Sequence, residues 1–171
     1  MWQRIADEAA SESALWAEAL LPLPKRRHEP IFSPLGPSHL ALGVETIYEG
    51  YLVHYGQPRL FAPRDADTAL LLGDYLYAHG LVRVAETGDV TAVADLAELI
   101  SLCARSRAAG TDGDAAAWAA TVSRLGAGGL EEARTALGVD GDPGPLGQLA
   151  RRASGVGDVE RALVAHARLV G

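Results

Sequence analysis

The chain has 171 residues, a formal net charge of −7, 49% hydrophobic residues and 22% charged ones. That length supports one domain with a true core, and the composition is that of a globular protein. The acidic balance argues against a general nucleic-acid binder, whose surface would be basic. A single cysteine, Cys103, leaves no intrachain disulfide, and in an apolar helical stretch it reads as a small core residue. No run reaches the roughly 18 apolar residues of a membrane span. The opening MWQRIADEAASE is acidic where a signal peptide is basic and then apolar, so a cytoplasmic location is expected.

In chain order, Trp2, Ile5, Ala9, Leu15, Trp16 and Leu20 are spaced for one face of a helix over residues 1–21,. Residues 22–37 hold five prolines and predict an extended connector,. Ser38 is a candidate N-cap for a helix ending near Gly56, where Gly56-Gln57-Pro58 breaks the pattern,. Asp65 or Asp67 caps the next helix, expected to reach about Glu86. Leu70, Leu71, Leu72, Tyr75, Leu76, Tyr77, Leu81, Val82 and Val84 make it apolar nearly all round, which predicts a place at the centre of a bundle,. Gly88-Asp89 ends that helix and caps another, with Val90, Val93, Leu96, Ala97, Ile100 and Ala104 on one stripe.

A Gly/Asp loop follows at Gly110–Asp114, and Trp118, Val122 and Leu125 mark a further helix. Beyond Gly126 the signal weakens to short helices near 130–137, 146–153 and 159–170. No long β-alternation and no internal repeat is visible. The expectation is an all-α bundle in one domain, residues 1–171, its neighbours set antiparallel by short loops.

Few residues suggest chemistry on their own. Asp74 in its apolar helix is expected to be buried or at an interface, capping or bridging helices, because a buried carboxylate needs partners. His79 lies five residues on, off the face of Asp74. His54 reads as a core or interface histidine. The five histidines show no zinc-ligand spacing,. Asp65-Ala66-Asp67 is a helix start. Gly126-Ala127-Gly128-Gly129 follows a helix and lacks the Lys-Ser/Thr of a phosphate loop,. Lys25-Arg26-Arg27-His28 is a basic run, solvated in the plain reading and a diphosphate subsite in the sharper one.

The stretch from Val44 to Gly110 resembles the middle of a trans-isoprenyl diphosphate synthase. One helix of that family reads V-E-hydrophobic, then L-I-H-D-D; here Val44-Glu45 is followed by Leu52-Val53-His54 and then Tyr55-Gly56. Gly56-Gln57-Pro58 resembles the end of the family's R-R-G-x-P. From Pro58 to Asp74 the spacing matches without a gap, ending in Leu71-Leu72-Gly73-Asp74, like the family's L-x-G-D, and Gly88-Asp89 falls at a family turn. An ungapped alternative sets Glu45 and Glu49 near the aspartate positions. The resemblance covers residues 38–110, with a faint echo of a G-K-x-x-R-P motif at Lys25, Arg26 and Arg27. Residues 111–171 diverge, and D-D-x-x-D is absent.

The resemblance implies a truncated isoprenoid synthase fold. It also implies a chain that binds no cofactor itself, because the family's magnesium ions need the missing aspartates. Without them the main stabilisation of a departing diphosphate is gone. Some bacterial members pair a full-length catalytic subunit with a small aspartate-poor one. This chain is similar to that small, non-catalytic subunit, so the implied partner is a catalytic prenyl diphosphate synthase subunit carrying the magnesium. A homodimer is also open. Residues implied at the interface or in structural roles are His54, Tyr55, Asp74, Tyr75, Tyr77 and His79, with Tyr48 and Tyr51 as further candidates for limiting a prenyl tail in the partner. The rival reading is a stand-alone helical enzyme or ligand-binding protein with a closed cavity, or a helical interaction scaffold.

Overall fold

The computed structural model describes residues 1–170, and among them the secondary structure is helical, with nine α-helices, three short 3-10 turns and a single isolated bridge between Leu20 and Phe61. The helices are α1 (Trp2–Glu12), α2 (Ala14–Ala19), α3 (Ala41–Tyr55), α4 (Ala66–Ala85), α5 (Val90–Ala109), α6 (Asp114–Ser123), α7 (Glu131–Asp140), α8 (Gly144–Ser154) and α9 (Val156–Val170). None is long and apolar enough to cross a membrane.

Local chemistry explains most boundaries. Asp65 accepts from the Thr68 N–H at 2.7 Å and starts α4; Asp89 accepts from the Ala92 N–H at 2.8 Å and starts α5. Gly110 and Gly141 end α5 and α7 in the left-handed region at φ 67° and 69°, where a side chain would be strained,. Two expected boundaries differ. The N-terminal helix is split at Ser13, whose extended backbone turns the chain while its hydroxyl accepts from the Leu15 N–H at 3.2 Å. Ser38 caps nothing: it opens a 3-10 turn, and α3 begins at Ala41 without a side-chain cap. The proline-rich stretch is not a simple extended connector either. It folds through 3-10 turns and sinks Ile31, Phe32 and Leu35 into the core.

Helix α3 is the centre of the molecule, with every residue from Gly43 to Val53 buried. It runs against α4, the most extensively packed pair in the fold. Glycines at matching intervals set their approach. A Cβ on Gly50 would stand 2.9 Å from the Gly73 carbonyl oxygen, and one on Gly80 would stand 3.0 Å from the Gly43 carbonyl oxygen. The glycines let the two backbones approach closely while Ile47 and Val84 side chains pack directly on Gly80 and Gly43, which favours dispersion contact along the seam,.

The expectation that α4 occupies the centre is overturned. Leu70, Leu71 and Val82 are 55%, 56% and 53% exposed; α4 is an outer helix with an apolar outer face. The expected stripe on α5 is also turned. Its buried face is Ala92, Asp95, Leu96, Leu99, Leu102, Cys103 and Ser106, while Val90, Ala97 and Ala104 face outward. Helices α6, α8 and α9 close the other side of α3. Trp118 of α6 is fully buried, and the divergent tail supplies core residues Leu146, Ala150, Val159 and Leu169. A smaller cluster of Ile5, Ala9, Trp16, Leu60, Phe61, Leu72 and Leu76 glues α1 and α2 to α4 and the preceding loop.

Candidate functional site

Three polar groupings hang on α3. The first is a buried ion cluster. Glu45 and Glu49, one turn apart and both fully buried, face Arg59, which is 1% exposed. Arg59 donates from Nη1 to Glu45 Oε2 at 2.7 Å and from Nε to Glu49 Oε2 at 3.0 Å. Glu49 Oε1 accepts from the backbone N–H groups of Arg59 and Leu60, both at 2.7 Å. Glu45 Oε1 accepts from those of Ile31 and Ser33, both at 3.2 Å. The guanidinium also lies 4.6 Å from the Trp2 ring centroid and 5.0 Å from that of Tyr48. Two carboxylates with one cation leave a buried negative charge, and four backbone donors offset it. The cluster pins two otherwise irregular segments, around residues 29–33 and 57–61, and the start of α1 at Trp2 onto α3.

The second grouping is aromatic. Phe32, Tyr48, Tyr51, Trp118 and His166 stack with centroids between 5.0 and 6.0 Å apart. Tyr51 donates to Asp114 Oδ2 at 2.5 Å, Arg107 Nη2 donates to the Tyr51 oxygen at 2.7 Å, and Arg107 Nε pairs with Asp114. Tyr48 Oη lies 3.0 Å from His166 Nδ1. Burial pushes both tyrosine pKa values up and pushes His166 down to about 4, against the opposing pull of Asp114. At neutral pH His166 is therefore an uncharged acceptor and Tyr48 the donor. Most of these polar atoms pair with one another, while Asp114 Oδ1 and Trp118 Nε1 are buried without a partner; the cluster packs and orients helices.

That burial has a pH consequence. A histidine whose folded pKa is depressed takes up its proton more readily unfolded, so stability falls as pH drops from about 6.5 toward about 4,. A urea midpoint measured at pH 7.5 and at pH 5 should fall, by up to roughly 2 kcal/mol of stability. His166→Gln should lose most of that dependence within this window. Glu8 acts lower: burial would raise its pKa, but bonds from Arg4, Arg83 and His79 hold it at about 2.

The third grouping is at the α3–α4 edge. His54 Nε2 stands 3.3 Å from Asp74 Oδ1, and the Gly73 backbone presses on the ring so closely that a Cβ there would overlap it. Burial lowers the His54 pKa and Asp74 only partly offsets this. Tyr55 and Tyr77 flank the ring at 5.5 and 5.1 Å.

Other expected site residues fall apart. Asp74 is not buried: its side chain is 65% exposed. His79 bonds to Glu8 at 2.8 Å, and Tyr75 stacks on Trp16 and His79. Tyr48 and Tyr51 are fully buried in the chain's own core, so neither is free to enter another subunit. Lys25, Arg26 and Arg27 do not converge. Lys25 is exposed, Arg26 bonds to the Leu21 carbonyl at 2.7 Å, and Arg27 bonds to the Gln57 and Pro58 carbonyls, each at 3.2 Å.

The residues that the sequence resemblance would set at a metal position do not fit magnesium. Tyr55 and Gly56 carry no carboxylate, and Glu45 and Glu49 of the ungapped alternative are consumed by Arg59,. Among the described residues no three His, Cys, Asp or Glu side chains gather as ligands. One concavity is an open groove of about 520 Å³ between α5 and α7, floored by the Arg134–Asp95 pair at 3.0 Å. It is not a closed cavity in the core. Sequence reasoning did not foresee the Arg59 cluster or the Tyr51–Asp114–Arg107 set. Glutamates at i and i+4 inside an apolar helix were the available signal for the first.

No family model matches the chain, and no curated protein or solved structure is significantly similar to it.

Proposed function

We propose that this chain is a non-catalytic small subunit of a heteromeric prenyl diphosphate synthase, acting through α4 on a full-length catalytic partner. The observation that carries the reading is the unpaired apolar face of α4, in a helix that is otherwise well packed. Leu70, Leu71 and Val82 lie more than half exposed on it. Its first half, through Asp74, lies in the segment where the resemblance is gapless. An exposed apolar face of this kind marks a contact site more often than a free surface. The absence of a carboxylate pair at Tyr55-Gly56 supports a supporting role: the partner would hold magnesium and perform the transfer, and this chain would stabilise the partner's fold or shape its product cavity. Tyr55, Tyr75 and Tyr77 are half-buried and remain the aromatic candidates for that second task.

The test is a prenyl-transfer assay with magnesium, an allylic diphosphate and isopentenyl diphosphate, run on this chain, a candidate full-length synthase, and the mixture. Activity should appear, or rise at least about tenfold, only in the mixture. Activity of this chain alone would overturn the reading. Silence in all three, with a folded partner, would shift it to a stand-alone binding protein using the α5–α7 groove.

A further inference from the structure

The outer face of α4 has an unusual charge pattern for an apolar surface. Leu70, Leu71, Asp74, Ala78, Val82 and Ala85 are all exposed along one side, a strip about 20 Å long. Asp74 sits on it between Leu70–Leu71 and Ala78–Val82, 65% exposed. The second carboxylate on the helix, Asp67, is exposed in its first turn. Among the described residues no Lys or Arg pairs with Asp67 or Asp74. The basic residues of α4 are His79 and Arg83, and both turn inward to Glu8. His54 approaches Asp74 at 3.3 Å without meeting hydrogen-bond geometry, and its lowered pKa leaves it uncharged at neutral pH. Asp74 therefore presents a negative charge with no Lys or Arg paired to it, flanked on both sides by apolar residues of the strip.

This pattern decides between occupants. A twofold self-contact would place the same patch on both sides. It would bring two Asp74 carboxylates into one desolvated seam with no counter-charge, which is costly. A partner helix with apolar residues at i, i+4 and i+8 and one lysine or arginine at the centre would cover the leucines and neutralise Asp74 together.

We infer that the α4 strip is a docking surface for an apolar helix of a different chain bearing a single central cation, and that Asp74 selects that partner over a second copy of this chain. The inference rests on the subunit reading above and specifies the chemistry of the partner's contact.

The probes are two stapled helical peptides of about 18 residues, identical apart from a central Lys or Glu between leucines. The full chain is titrated with each by fluorescence anisotropy, and its own oligomeric state is measured by sedimentation equilibrium. The Lys peptide should bind at least about tenfold tighter than the Glu peptide. Asp74→Lys should reverse that preference, and Leu71→Glu should abolish binding of both. These side chains are exposed, and circular dichroism on each variant verifies that the fold is kept. Equal binding of the two peptides, binding of neither, or a dimer of the unmodified chain at micromolar concentration would overturn the inference. The outcome is separable from the subunit reading: a silent prenyl-transfer mixture with a clear Lys preference removes the synthase and leaves the surface.

Discussion

Arg59→Met should destabilise the chain by about 3–5 kcal/mol, the usual cost of removing one partner from a buried ion pair. Glu45 and Glu49 are both fully buried and have no other cation in contact. Their backbone donors cannot replace a full positive charge. The loss also frees the Trp2 ring and the carbonyl of Glu29, which accepts from Arg59 Nη1 at 2.8 Å. For a chain of this size the melting temperature should fall by about 6–20 °C. Arg59→Lys should recover little, because one ammonium cannot fork to two carboxylates. The decisive comparison is the triple variant Arg59→Met, Glu45→Gln, Glu49→Gln. It keeps acceptors for the four backbone donors and removes the orphaned charges, so it should be more stable than Arg59→Met alone despite carrying three changes. A triple variant weaker than the single one would mean that geometry, not charge balance, is what Arg59 supplies.

Gly50→Ala should destabilise by about 1–3 kcal/mol, while Gly138→Ala should be neutral or stabilising by up to about 1 kcal/mol. Both glycines are helical, and alanine is the better helix former. At Gly138 a new methyl would meet side-chain atoms at 3.6 and 3.7 Å, ordinary contact. At Gly50 it would stand 2.9 Å from the Gly73 carbonyl oxygen and 3.1 Å from Leu76 Cβ and Tyr77 Cδ1. A backbone oxygen cannot swing aside, so α3 and α4 must separate along their shared seam. Chemical denaturation of the two variants side by side measures the difference. If Gly50→Ala were as benign as Gly138→Ala, the α3–α4 approach would not be the tight seam described.

The proposed partner contact and the internal stability would draw on opposite faces of α4. Its inner face is held by the glycine seam and its outer face is left apolar. A partner on the outer face would add stability by mass action without altering the inner packing. Peptide binding and denaturation therefore report on separate sides of the same helix.

Much of the architecture was legible in the residues. Asp65 and Asp89 announced two helix starts, and Gly88, Gly110 and Gly141 stand at helix ends. Cys103 read as core and is buried. These are local matters: a cap or a left-handed glycine acts within one turn, and the sequence carries all of the information it needs. The faces of α5 were less legible, because small apolar residues lie on both sides and the buried side was settled by Asp95 and Ser106 turning inward.

The chain by itself determined that the protein is helical and where most helices begin and end. Only the tertiary structure decided which helix is central. Both α3 and α4 are rich in apolar residues, and hydrophobic content cannot rank two such helices. The burial of Glu45 and Glu49 in α3 did, because Arg59 and four backbone N–H groups from distant segments are there to receive them. That completed ion cluster places α3 inside, and it leaves Leu70, Leu71, Asp74 and Val82 of α4 facing out.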